Sequence, residues 1–226
     1  MDFMDRLESS VAAERARIIT SPFATALFSG RIGLDGYEGM LRTLYHHVRE
    51  TSGKLATAAW RCSAGQEALK HHLSRHAAEE SGHEHWILED LEAIGVDPAQ
   101  VRDSEPRPEC MAMIAHGHFL ATMRHPAAIL AEGYFVESLS QGHADTVAAR
   151  LRESLGIPES ATRFLSSHGE LDQEHAGSYT LLFDEILDDE GRKAILRAAP
   201  TSAWLYAGIY ESLSPGAVEL PVALAA

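Results

Sequence analysis

The chain has 226 residues, enough for one generous domain with a real core, and 45% hydrophobic with 23% charged residues is an ordinary globular balance. A formal net charge of −14 argues against nucleic acid or an anionic membrane as partner. There is no apolar run long enough to span a bilayer and no basic, apolar leader after Met1, so the expected location is the cytoplasm. Cys62 and Cys110 lack metal or redox spacing, which leaves thirteen histidines as the one anomaly of composition.

In chain order, apolar positions at Phe3, Leu7, Val11 and Ile18 predict an amphipathic helix from about Asp2 to Ile19. Ser21-Pro22 then supplies an N-cap and a first-turn proline for a short helix to Phe28. After Gly30, Gly33 and Gly36, the spacing of Tyr37, Met40, Leu41, Leu44, Tyr45 and Val48 predicts one long helix to about Ala59, with His46, His47 and Glu50 on it. A second long helix is predicted over about Gln66 to Ile94, closed by Gly95 and Asp97-Pro98, and it carries five of the histidines.

Pro106 and Pro108 mark a loop before a helix over about Cys110 to Arg124. From Ala127 to Gln141 the chain is apolar nearly all round and predicts a central, buried helix, so Glu132 and Glu137 inside it each require a partner. A short helix from Asp145 to Leu155, a helix from about Ser160 to Leu187 and a last one from Asp189 to Leu213 follow. Residues 214–226 are expected to fray. The fold class is therefore all-α, a single-domain bundle of about seven to eight helices.

Chemistry is concentrated in two carboxylate-x-x-His patterns, Glu80-Ser-Gly-His83 and Asp172-Gln-Glu-His175. A spacing of three puts an oxygen and a nitrogen donor on one helical face, and a bundle that pairs two such helices makes a pocket for two ions. Glu50 and Glu137 complete a ferritin-like count in the right order. His168, one turn before Asp172, is surplus to that recipe. The ordinary reading of a polar triplet is a solvated helix face, but Glu80, His83 and a carboxylate within an apolar stretch weigh towards a metal.

His168-x-x-x-Asp172-x-x-His175, preceded by Glu80, His83 and Glu137, resembles the haem-oxygenase-like di-iron oxidases and oxygenases over most of the chain. The resemblance implies a metal site between the long central helices with Glu80, His83, Glu137, His168, Asp172 and His175 as ligands. It implies two ferrous ions and dioxygen as cosubstrate, with no catalytic residue beyond the ligands. His76 stands where many members place their early glutamate, and Glu80 is similar to the fatty-acid decarboxylase branch. His76, and the early-helix residues His46, His47 and Glu50, are candidate additional ligands. Tyr134 and Tyr179 lie near the ligands in sequence and read first as packed core tyrosines.

The function so implied is oxidation of a small organic substrate, by N-oxygenation of an amine or oxidative cleavage of an amino or fatty acid. The expected partners are that substrate, an external electron donor and a second copy of the chain in a homodimer. The alternatives are a ferritin-like or non-catalytic metal-binding bundle, and a metal-free thiaminase-like hydrolase that would need a nucleophilic cysteine. A haem oxygenase would need a proximal histidine on the first helix, and none precedes His46.

Overall fold

The computed structural model describes residues 2–140, 143–167, 179 and 182–216, and these are helical with no strand among them. α1 (Phe3–Thr20) opens on a reciprocal cap between Asp2 and Asp5 and buries Leu7, Val11 and Ile18. α2 (Pro22–Phe28) starts as predicted, with the Ser21 hydroxyl accepting from the Ala24 N–H at 3.1 Å. α7 (Pro98–Arg102) and α8 (Pro108–Met123) likewise begin on prolines.

Both long early helices are broken. The predicted run from Tyr37 to Ala59 is α3 (Leu34–Val48) and α4 (Thr51–Trp60), because the Glu50 N–H bonds three residues back, to His47, and closes the first helix. The run from Gln66 to Ile94 is α5 (Glu67–Glu79) and α6 (His83–Ala93). Gly82 sits between them at φ 96°, a left-handed conformation that ends one helix and redirects the next. Pro126 opens a 3-10 turn over Pro126–Ile129 before α9 (Leu130–Ser140), so the predicted central helix begins one turn late. α10 (Ala144–Leu155) and α11 (Asp189–Ser212) close the order. The seven to eight long helices expected are thereby divided into eleven α-helical segments among the described residues.

α11 packs on α1, α8 and α9, while α4 lies on α5 and α3 on α6. One continuous apolar cluster runs through these contacts, from Leu7 and Phe23 to Phe135 and Ile195. Within the expected tail, the Pro215 carbonyl accepts from the Gly33 N–H at 2.8 Å, and a Cβ on Gly36 would lie 2.3 Å from that carbonyl oxygen. The rest of the expected tail lies outside the described residues. No described helix is long and apolar enough to cross a membrane.

The segment that leads into His168 is anchored from three helices. Tyr37 of α3 donates its hydroxyl to the Ala161 carbonyl at 2.6 Å, and Arg152 of α10 donates to the Thr162 hydroxyl at 2.9 Å. Asp90 of α6, fully buried, accepts the main-chain N–H of Arg163 at 2.8 Å and of Phe164 at 3.0 Å, capping the helical run at 163–167 from another helix. Burial pushes the Asp90 carboxyl up to about 7 against the pull of those two N–H groups.

The folded protein therefore holds the Asp90 proton more tightly than the unfolded chain, between the ordinary 3.8 and about 7. Stability should fall as pH rises through that window and level off above it. Asp90→Asn lacks this dependence, so its melting temperature should gain on the wild type from pH 4 to pH 7. A difference that stays constant across that range would contradict the assignment.

Candidate metal centre

The α5–α6 break at Gly82 determines how the first motif is presented. Glu80 caps the end of α5 and His83 is the first residue of α6, so the two do not share the single helical face that their spacing suggested. They meet across the turn, with His83 Nδ1 3.3 Å from Glu80 Oε2. Trp86 stacks on the His83 ring at 4.4 Å and 19° and fixes its plane. One turn before Glu80, His76 places Nε2 3.6 Å from Glu80 Oε1 and 3.4 Å from Glu137 Oε1. His76 thus joins the carboxylates of α5 and α9.

Tyr179 donates its hydroxyl to Glu137 Oε1 at 2.9 Å. The close approach needs Gly133, where a Cβ would stand 2.6 Å from the Tyr179 oxygen. Tyr134, the other tyrosine singled out by position, points away and bonds Glu8 of α1. Tyr179 therefore touches a candidate ligand instead of filling core only. The signal in the sequence is Gly133, an unforced glycine inside a strongly apolar helix.

Glu132 and Glu137, which periodicity could not separate, have different neighbours. Glu132 is an ion-pair partner of Lys54, itself 1% exposed, and lies 3.2 Å from His47 Nε2. Burial alone would raise the Glu132 carboxyl, but the Lys54 ammonium and the His47 hydrogen bond hold it well below the ordinary carboxylate range. Burial and the same ammonium push His47 down, so its ring is neutral and Nε2 carries the proton given to Glu132. Gly117 of α8 makes room, since a Cβ there would come within 2.6 Å of Glu132 Oε2 and 2.7 Å of Lys54 Cδ. Sequence reading passed over Lys54, which by type belongs at the surface.

These groups line one cavity of about 70 Å³, with His47, Lys54, His76, Glu80, Glu132, Glu137 and Tyr179 among its polar walls. That is room for a few water-sized groups. Glu50 is not among them. As the residue before α4 it faces outward, and its carboxylate meets Arg49 at 3.3 Å and His118 at 3.2 Å. It is corrected from a candidate ligand to a surface ion-pair partner. His46 turns instead to Ser104 at 3.0 Å. His72 is buried one turn before His76, its ring 6.4 Å from that of Tyr179.

His168, Asp172 and His175 lie outside the described residues. Among the described residues no three His, Cys, Asp or Glu side chains are arranged to hold an ion by themselves. What they present is a buried set of imidazole nitrogens and carboxylate oxygens, with no thiolate, which is the donor chemistry that suits iron. Neither cysteine is a competing centre. The Cys110 thiol is buried, pushed up to about 11, and 3.5 Å from the Thr43 carbonyl, and burial raises Cys62 as well.

Removing Lys54 alone strands a buried carboxylate. Lys54→Met should cost about 3–5 kcal/mol by urea unfolding, and Lys54→Met with Glu132→Leu should recover most of it. A single-variant loss below about 1 kcal/mol, the range of an exposed pair, would contradict the buried pairing.

The family described as iron-containing redox enzyme matches residues 38–207 of this chain. No curated protein matches. Among solved structures, a domain of unknown function with a haem-oxygenase-like fold from Shewanella denitrificans is 24% identical, with a TM-score of 0.82 over 93% of this chain and 91% of that one. A TenA homologue from Pseudomonas syringae pv. tomato is 14% identical, with a TM-score of 0.74 over 92% and 91%. The haem oxygenase from Leptospira interrogans is 16% identical, with a TM-score of 0.68 over 94% and 100%. At these identities the structures establish the fold, and the matched family establishes kinship: this chain belongs to the iron-containing redox enzymes, built on the haem-oxygenase-like helical bundle.

Proposed function

We propose that the protein is a non-haem di-iron oxidoreductase that uses dioxygen to oxidise a small organic substrate. Glu80, His83, Glu137, His168, Asp172 and His175 would hold the metals, with His76 as a further donor. The observation that carries this reading is the convergence of Glu80, His76 and Glu137 on one buried cavity, with His83 against the far oxygen of Glu80, in a chain of this family. Bound ferrous iron would supply electrons to dioxygen and so activate it as the oxidant of the substrate.

The chain's own part is positioning and exclusion. Tyr179 and His76 both hold Oε1 of Glu137, which fixes the carboxylate at the wall of the cavity. Trp86 fixes the His83 ring, and Asp90, seven residues on along α6, ties that helix to the segment entering His168. Lys54 answers the charge of Glu132 at Oε1, which His47 also reaches, so this third carboxylate has a counter-charge without a metal, while its Oε2 is buried with no hydrogen-bond partner among the described residues. The thiaminase-like alternative is disfavoured because neither cysteine lines the cavity among the described residues, and both thiols are raised, away from the reactive thiolate.

Anaerobic loading with ferrous iron should give about two irons per chain. Glu80→Gln and Asp172→Asn should each abolish retention of at least one, and Tyr179→Phe should weaken iron affinity roughly 10–100-fold. Uptake unchanged in the first two variants would overturn the metal assignment. Full iron loading without oxygen consumption on exposure to air would favour the non-catalytic metal-binding bundle instead.

A further inference from the structure

A second cavity, of about 130 Å³, adjoins the first and shares His47, Val48 and Val136 with it. Its walls come from α2, α3, α9, α10 and α11 and from Phe164 and Leu165. Its wall includes Phe28 and the exposed His143, with ring centroids 6.2 Å apart, and the buried His47. The cavity thus joins an exposed residue to the wall it shares with the first cavity.

Its chemistry differs from that of its neighbour. Where the first cavity gathers three carboxylates and an ammonium, the described lining of the second contains no Lys, Arg, Asp or Glu. Leu44, Leu139, Val147 and Phe164 are typical of its wall. An ionised group placed there would lose its water and meet no counter-charge among the described residues. The polar atoms available are the His47 and His143 rings and the phenols of Tyr206 and Tyr210, and burial raises Tyr210, so its hydroxyl stays neutral. The volume is close to that of an apolar cavity of roughly 150 Å³ known to stay dry and to take benzene.

We propose that this chamber holds an uncharged apolar part of the substrate, an aromatic ring or a branched aliphatic group about the size of benzene, with the reacting end lying across the His47–Val48–Val136 boundary at the metal cavity. Calling the occupant a substrate rests on the metal-centre reading; the affinity of the chamber for an apolar group does not. A charged amine or acid would enter with its ionised end at the first cavity and its hydrocarbon in the second.

Benzene titrated into metal-free protein, followed by methyl NMR, tests this. The methyl signals of Leu44, Leu139 and Val147 should shift together and saturate, while benzoate and benzylammonium should bind at least 10-fold more weakly. Val147→Phe and, as a second filling variant on a different helix, Leu139→Phe should each weaken benzene at least 10-fold with helical content retained. No saturable shift with benzene, benzoate binding as tightly as benzene, or undiminished binding in both filling variants would overturn the proposal. Iron uptake measured on the same preparation separates the two readings. Benzene binding without iron uptake upholds the chamber and sinks the metal centre, and iron uptake without benzene binding does the reverse.

Discussion

A carboxylate in the middle of an apolar bundle must be answered by charge or hydrogen bonds, and much of this structure follows from that requirement. Three glutamates, Glu80, Glu132 and Glu137, reach one small cavity between helices whose other residues are mostly aliphatic. An isolated buried carboxylate costs several kcal/mol even after relaxation. The chain meets the cost in two ways. Glu132 is given an ammonium, brought in by Lys54 and admitted by the missing side chain of Gly117. Glu80 and Glu137 are given imidazoles, His83 and His76, and the phenol of Tyr179 admitted by Gly133. The first solution is self-contained, whereas the second has the composition of a metal site.

The bundle and most of its joints are legible from the sequence, because prolines, glycines and Asx or Ser caps punctuate it: Ser21-Pro22, Gly95 and Asp97-Pro98 stand where the elements end or begin. The early candidate ligands are legible as types, since a glutamate inside Leu130–Ser140 has no reason to be there without a partner. The break between Glu80 and His83 is less so. Ser-Gly within an otherwise helical pattern is compatible with either outcome, and tertiary packing decides whether Gly82 takes a left-handed turn. The choice between Glu132 and Glu137 turns on Lys54 and His76, which come from other helices 78 and 61 residues away in sequence, beyond the reach of any local period. Glu50 was counted by its order along the chain, and order does not say which way a side chain faces: the break after Val48 leaves it beside Arg49 and His118 instead of lining the cavity.

The same helical bundle serves proteins as different as a haem oxygenase and a TenA homologue, so the fold by itself carries no chemistry. In this chain a carboxylate-rich cavity adjoins an apolar one across a three-residue boundary. Such a boundary suits oxidation of an unreactive group, because the hydrocarbon is held by shape while the polar side orders the donors. His47 belongs to both sides: it is fixed by Glu132 in the one and closes the floor of the other.

The central claim is that the buried imidazole and carboxylate cluster is a metal site. Diffraction from iron-loaded crystals at the iron absorption edge tests it most directly. The account predicts anomalous peaks within coordination distance, roughly 2.0–2.3 Å, of Glu80, His83 and Glu137 on one side and His168, Asp172 and His175 on the other. Peaks confined to surface histidines such as His85 or His118, with the cavity between α5 and α9 holding only water, would contradict it.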